Sequence, residues 1–173
     1  MKLFISLFFF LSLISFKNQT WAKSKKRPAK ITLEDIKPGP GDIMSVIQSH
    51  HAKLYYAGSE ENWDLAQYEL GEIQEGLESV TKLHPHFQDV KTPLAQLVSS
   101  LIHPQIEEVQ KAIQAKNHNH FQKSFENLTH SCNKCHQAVE HSFIVIQVPT
   151  TQTFPNQKFS KWILYDEKMK LKK

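Results

Sequence analysis

Glycine is scarce in this chain, with five in 173 residues. A strand-rich fold full of tight turns needs more left-handed backbone positions than that, so the composition points away from an all-β protein. Cysteine is scarcer still: Cys132 and Cys135 are the whole supply. Two thiols make no disulfide scaffold, and no second C-x-x-C exists to complete a regular zinc site. Nor is there a Gly-rich phosphate loop, a Ser-His-Asp set or an acid–base pair, so the chain is not expected to be an enzyme acting on an organic substrate. Interleaved aromatic and basic residues are also missing, which removes a nucleic-acid module.

The apolar run at the amino terminus, Leu3 to Phe16, is broken only by Ser6, Ser12 and Ser15. At about 14 residues it is short of the roughly 20 that span a bilayer. Lys2 precedes it, and Asn18-Gln19-Thr20-Trp21-Ala22 ends on a small residue. This pattern predicts a secretory signal peptide over 1–22, cleaved after Ala22; an uncleaved anchor is the rival. Either way the remainder crosses a membrane, which in bacteria places it in the periplasm. Removing 1–22 takes Lys2 and Lys17 and no acid, so the formal charge of +4 falls by two. The remaining excess gathers in two tails, one from Lys23 to Lys30 and one from Lys168 to Lys173. Solvated tails account for both; weak contact with an anionic membrane surface or an acidic redox partner is the sharper reading.

Against this background Cys132-Asn133-Lys134-Cys135-His136 stands out. C-x-x-C-H is the attachment pattern for c-type haem. On a helix, positions 132 and 135 share a face, so two thiols can form thioethers with one flat macrocycle. His136 then lies where its ring nitrogen can bind iron as the proximal ligand. Zinc would need about four ligands, drawn irregularly from Cys132, Cys135 and His130, His136 or His141. A redox pair would need a βαβ setting, and a disulfide this short in sequence stabilises little. One covalent haem c is the expected cofactor, with the cytochrome c maturation machinery as an implied partner.

Hydrophobic spacing places this motif. Residues 23–40, with Pro28, Pro38 and Pro40, read as a linker. From Gly41 the period is helical. A first helix is expected from Asp42 to a C′ glycine at Gly58, with Met44, Ile47, His51 and Leu54 inward. A second starts at Ser59 or Glu60 and carries Ala66, Leu70, Ile73, Leu77 and Val80; Glu69, Glu72, Glu75 and Glu78 lie outside that stripe. It stops near Leu83, before Pro85. A third is split at Pro104, by a kink or a fresh start. The fourth begins at Asn117 or Asn119, and its inward stripe, Phe121, Phe125, Leu128, Cys132, Cys135, Val139, contains both cysteines. Four such helices predict an all-α, antiparallel four-helix bundle over 41–148 with the haem on its last helix. An irregular basic tail, 149–173, follows. The apolar stretch Phe143 to Val148 should pack against the bundle before the tail frays.

A late C-x-x-C-H after three helices resembles class II c-type cytochromes, the cytochrome c prime group and its low-spin relatives. The resemblance covers residues 41–142; the chain departs from it in the roughly thirty residues after the haem helix. It implies one-electron transfer with redox partner proteins, and it extends to a homodimer by analogy alone. It also implies a first-helix residue at the sixth iron position. Met44 matches the family's distal Met by position, and His51, two turns on, is the alternative. An open site that binds NO or CO is a second reading. A non-haem helical protein with a Cys-x-x-Cys redox switch is a third. His50 should be solvated. His84, His86, His103, His118, His120, His130 and His141 read as loop, capping or surface residues, with His86, His118 or His120 able to reach a propionate.

Overall fold

The computed structural model describes residues 30–87 and 90–161. The expected signal peptide, most of the basic linker and the carboxy-terminal lysines fall outside the described residues. Every regular element among those described is helical: α1 Leu33–Ile36, α2 Pro40–Ser59, α3 Trp63–Leu83, α4 Leu94–Leu97, a π-helical turn Val98–Ile102, α5 His103–Gln114 and α6 His118–Ala138. None of them is long and apolar enough to cross a membrane. Among the described residues, 30–35 belong to one unit and those from Ile36 onward to another. The candidate site belongs wholly to the second.

The expected linker holds one helical turn, α1. Thr32 starts it, its backbone N–H and hydroxyl donating to the Asp35 carboxylate at 2.8 and 2.7 Å. α2 then begins earlier than Asp42. Pro40 takes the first helical position, where its missing N–H leaves nothing unpaired. Asp42 accepts the Gly39 N–H at 3.1 Å.

The other end of α2 corrects the reading of Gly58. That residue lies inside the helix, and its backbone is not left-handed. A Cβ there would overlap the Phe121 ring, so glycine serves close helix approach instead of a cap. The left-handed residue is Glu61, with φ 53°. The turn it makes delays α3 to Trp63, past Ser59 and Glu60. The Asn62 side chain caps this later start by accepting the Leu65 N–H at 3.5 Å.

The α3 stripe is buried throughout, from Ala66 to Val80, as a 3.6-residue period requires. Glu69 departs from expectation: it is 1 % exposed. Its carboxylate lies 2.6 Å from His50 Nδ1, and Glu72 lies 3.7 Å from His50 Nε2. His50 is therefore an enclosed partner to two acids and not a solvated residue. A buried carboxylate requires such a partner.

The third region is divided near Pro104, as expected, and Pro104 stands in the first turn of α5, where its missing N–H is tolerated. The backbone widens to a π turn at Val98–Ile102 and continues into α5.

α2 packs along α3 and α5 along α6, and the two pairs meet through α2 with α6 and α3 with α5. Ile47 faces Gly76 and His50 faces Glu69, so α2 and α3 run antiparallel. Gly58 faces Phe121 and His51 faces Thr129, so α2 and α6 do too. Leu54, Leu70, Val80, Val109, Phe121 and Phe125 fill the shared core.

The segment after α6 reverses the expected order of packing and fraying. Phe143, Ile144 and Val145 are 76, 42 and 71 % exposed. The chain beyond them returns along the helices and becomes more enclosed. Tyr56 donates its hydroxyl to the Thr151 carbonyl and packs against Phe154 and Phe159. Asn62 Nδ2 donates to the Phe159 carbonyl at 2.9 Å. Through residue 161 the tail is irregular but anchored.

Candidate functional site

The α6 stripe turns Cys132 and Cys135 toward a cavity of about 500 Å³ bounded by α2, α3, the π turn, α6 and the segment after it. Its walls are mostly apolar, with Ile73 and Leu77 from α3 and Val98 and Ile102 from the π turn. The size lies within the roughly 300–1,000 Å³ typical of small-molecule and cofactor sites. Met44, His51 and His136 line the same space. All five residues singled out from sequence therefore converge on one cavity.

Each arrives there for a local reason. Cys132 and Cys135 sit one turn apart on the buried face that begins at Phe121. Burial pushes the Cys132 thiol up to about 12, with Cys135 adding to the rise, and raises the Cys135 thiol as well. Both are free thiols here. A redox-switch cysteine needs the opposite shift, because the thiolate is the reactive form.

His136 follows on the same turn. Its Nδ1 lies 2.9 Å from the Ile144 carbonyl. A carbonyl only accepts, so Nδ1 carries the proton and Nε2 keeps its lone pair. Iron-binding histidines are held in this manner, with the second ring nitrogen donating to a fixed acceptor. Asn133, within the motif, bonds twice to the backbone of Ile146.

On the opposite wall, Met44 is part-buried and packs against the core. His51 is 4 % exposed, its ring 4.5 Å from that of Phe125. Its Nε2 lies 2.9 Å from Thr129 Oγ1. Burial lowers its pKa from 6.5 to about 4, so it is neutral at physiological pH.

The other histidines separate. His141 lines the cavity between Phe87 and Phe143, with ring centroids 4.8 and 5.0 Å away. Sequence had grouped it with surface residues, and only its nearness to the motif hinted otherwise. His118 and His120 open α6, near Glu61 and Glu108. They lie about four turns, roughly 20 Å, before the cysteines. His86 is exposed beside Phe87, which lines the cavity. His84 bonds the Pro38 carbonyl at 2.9 Å, and His103 and His130 are exposed. Thr129, Asn133 and the Glu69–His50 pair carried no sequence signal, since their roles depend on partners distant in the chain or on its irregular end.

No group of three or more His, Cys, Asp or Glu among the described residues is arranged to hold a metal ion. A structural zinc takes about four protein ligands. A haem iron takes one or two and leans on the macrocycle for the rest. The cavity, the paired thiols and the oriented imidazole fit a covalently held haem. Comparison of the chain with protein-family models, with curated proteins and with solved structures gives no match.

Proposed function

We propose that this chain is a periplasmic c-type cytochrome: a four-helix bundle that carries one haem c and passes single electrons between redox partner proteins. Cys132 and Cys135 would hold the haem covalently, and His136 would bind its iron. The observation that carries this reading is the convergence of both cysteines, His136, Met44 and His51 on one cavity of cofactor size. The antiparallel packing of α2 with α3 and with α6 supports the bundle, a fold that builds cofactor sites between facing helices. The export-type amino terminus supports the compartment.

When bound, the haem supplies a one-electron couple between ferrous and ferric iron. The chain's own residues do the rest. The thiols fix the macrocycle's position. Ile144 holds the His136 tautomer, leaving Nε2 for iron. Ile73, Leu77, Val98 and Ile102 exclude water, and a dry apolar shell shifts the potential. Met44 is the distal candidate by its place near the start of α2, and His51, whose Nε2 engages Thr129 and whose Nδ1 keeps its lone pair, is the alternative.

A visible spectrum after expression with the maturation machinery tests the reading. A low-spin, six-coordinate spectrum with the weak far-red band of methionine ligation supports electron transfer. High-spin bands that shift sharply with CO would replace it with gas binding. The absence of a Soret band would leave the Cys-x-x-Cys switch.

A further inference from the structure

His136 takes its orientation from outside its own helix. The carbonyl that accepts its Nδ1–H belongs to Ile144, in an extended segment after α6. Burial does not hold that segment in place, since Phe143 and Val145 are 76 and 71 % exposed and Ile144 itself 42 %. Local backbone bonding adds only the Ile144 N–H to His141 carbonyl contact at 2.9 Å, among the described residues. The Phe143 ring lies 5.0 Å from that of His141, and one further side chain bonds the segment's backbone directly. Asn133 Nδ2 donates to the Ile146 carbonyl at 2.8 Å, and the Ile146 N–H donates to Asn133 Oδ1 at 2.7 Å. The amide thus pairs with both halves of one residue's backbone, as a neighbouring strand would. Asn133 stands between Cys132 and Cys135, on the helix that presents His136.

We propose that Asn133 is a positioning residue for iron ligation: by clamping Ile146 it fixes the Ile144 carbonyl that orients His136. This rests on the haem reading above. The physical chain has three links. The Asn133 amide sets the path of 144–146. That path sets how well Ile144 accepts from Nδ1. A well-placed acceptor makes the imidazole a stronger donor to iron and favours the ferric state. Without the clamp, water takes over the Nδ1–H as a less fixed acceptor, and the reduction potential rises.

Asn133→Ala in the full-length, haem-loaded protein tests this. Exchange of the Ile146 amide should speed up by roughly tenfold or more, as loss of one or two hydrogen bonds implies. The reduction potential should rise, while the haem stays covalently attached. Val145→Ala removes an outward side chain and should change neither reading. Ile146→Pro deletes the strap's N–H without touching the C-x-x-C-H run, and should raise the potential in the same direction. It keeps the test decisive if Asn133→Ala impairs haem attachment. Faster Ile146 exchange at an unchanged potential would make Asn133 a purely structural clamp and overturn the proposal. So would an unchanged potential in Ile146→Pro. A wild type without covalent haem is a separate outcome, which removes the cofactor reading and this proposal together.

Discussion

His51 Nε2 and Thr129 Oγ1 lie 2.9 Å apart, joining α2 to α6 across the wall of the cavity. Thr129 has one proton to give, and it goes to the Phe125 carbonyl at 2.9 Å. His51 must therefore donate through Nε2, leaving the lone pair on Nδ1. Both nitrogens of a neutral imidazole then have defined roles. The nitrogen that reaches α6 is held by Thr129, and Nδ1 is the one left to accept or to bind iron.

Met44 and His51 both line the cavity, and substitution separates them. Met44→Ala should open the sixth position: the spectrum turns high-spin, CO binds, and the potential falls as a ligand favouring ferrous iron is lost. His51→Ala should leave the low-spin spectrum in place and lower stability instead. Absorption spectra of both variants, with and without CO, check the pair. Loss of the low-spin spectrum in His51→Ala but not in Met44→Ala would transfer the role to His51.

Acid should weaken the fold through the same histidine. His51 titrates at about 4 in the folded chain against an ordinary 6.5. Between those values the unfolded state binds the extra proton, so stability falls as pH falls through this window. The penalty is absent above about pH 6.5 and complete below about pH 4, reaching on the order of 3 kcal/mol. His51→Gln lacks it. Urea unfolding of wild type and His51→Gln, in protein without haem, should show the wild type's advantage shrinking across that window. A constant difference would refute the buried, neutral assignment.

Helix existence and the inward stripes were legible in the sequence because periodicity records which face is buried. Phe121, Phe125, Leu128 and Cys135 needed nothing more. Boundaries were less so. Gly58 suggested a cap because glycine tolerates left-handed backbone, but the actual demand was room for the Phe121 ring, a contact with another helix. Glu69 looked solvated because a carboxylate normally is; only the fold brings His50 beside it. The site divided along the same line. Cys132, Cys135 and His136 announce themselves through covalent spacing. Thr129, His141 and the Asn133 clamp act through geometry that no local pattern encodes.

The His50–Glu69 pair should be costly to break. His50→Ala leaves the Glu69 side chain, 1 % exposed, without its hydrogen-bond partner, a loss of about 1–3 kcal/mol. A His50→Ala, Glu69→Leu double variant should recover much of it, because an apolar side chain needs no partner. Denaturant unfolding of the wild type and both variants measures this. A single variant within about 0.5 kcal/mol of wild type, the range of ordinary surface changes, would show that Glu69 is not enclosed in solution.

The most direct test of the account is whether the mature protein carries haem by covalent bonds. Protein produced with the cytochrome c maturation machinery should keep its haem through acidified-acetone extraction, and its intact mass should exceed that of the mature polypeptide by one haem. The Cys132→Ala, Cys135→Ala variant should lose that added mass. Haem that extracts freely from the wild type, or an intact mass equal to the polypeptide alone, would contradict the account.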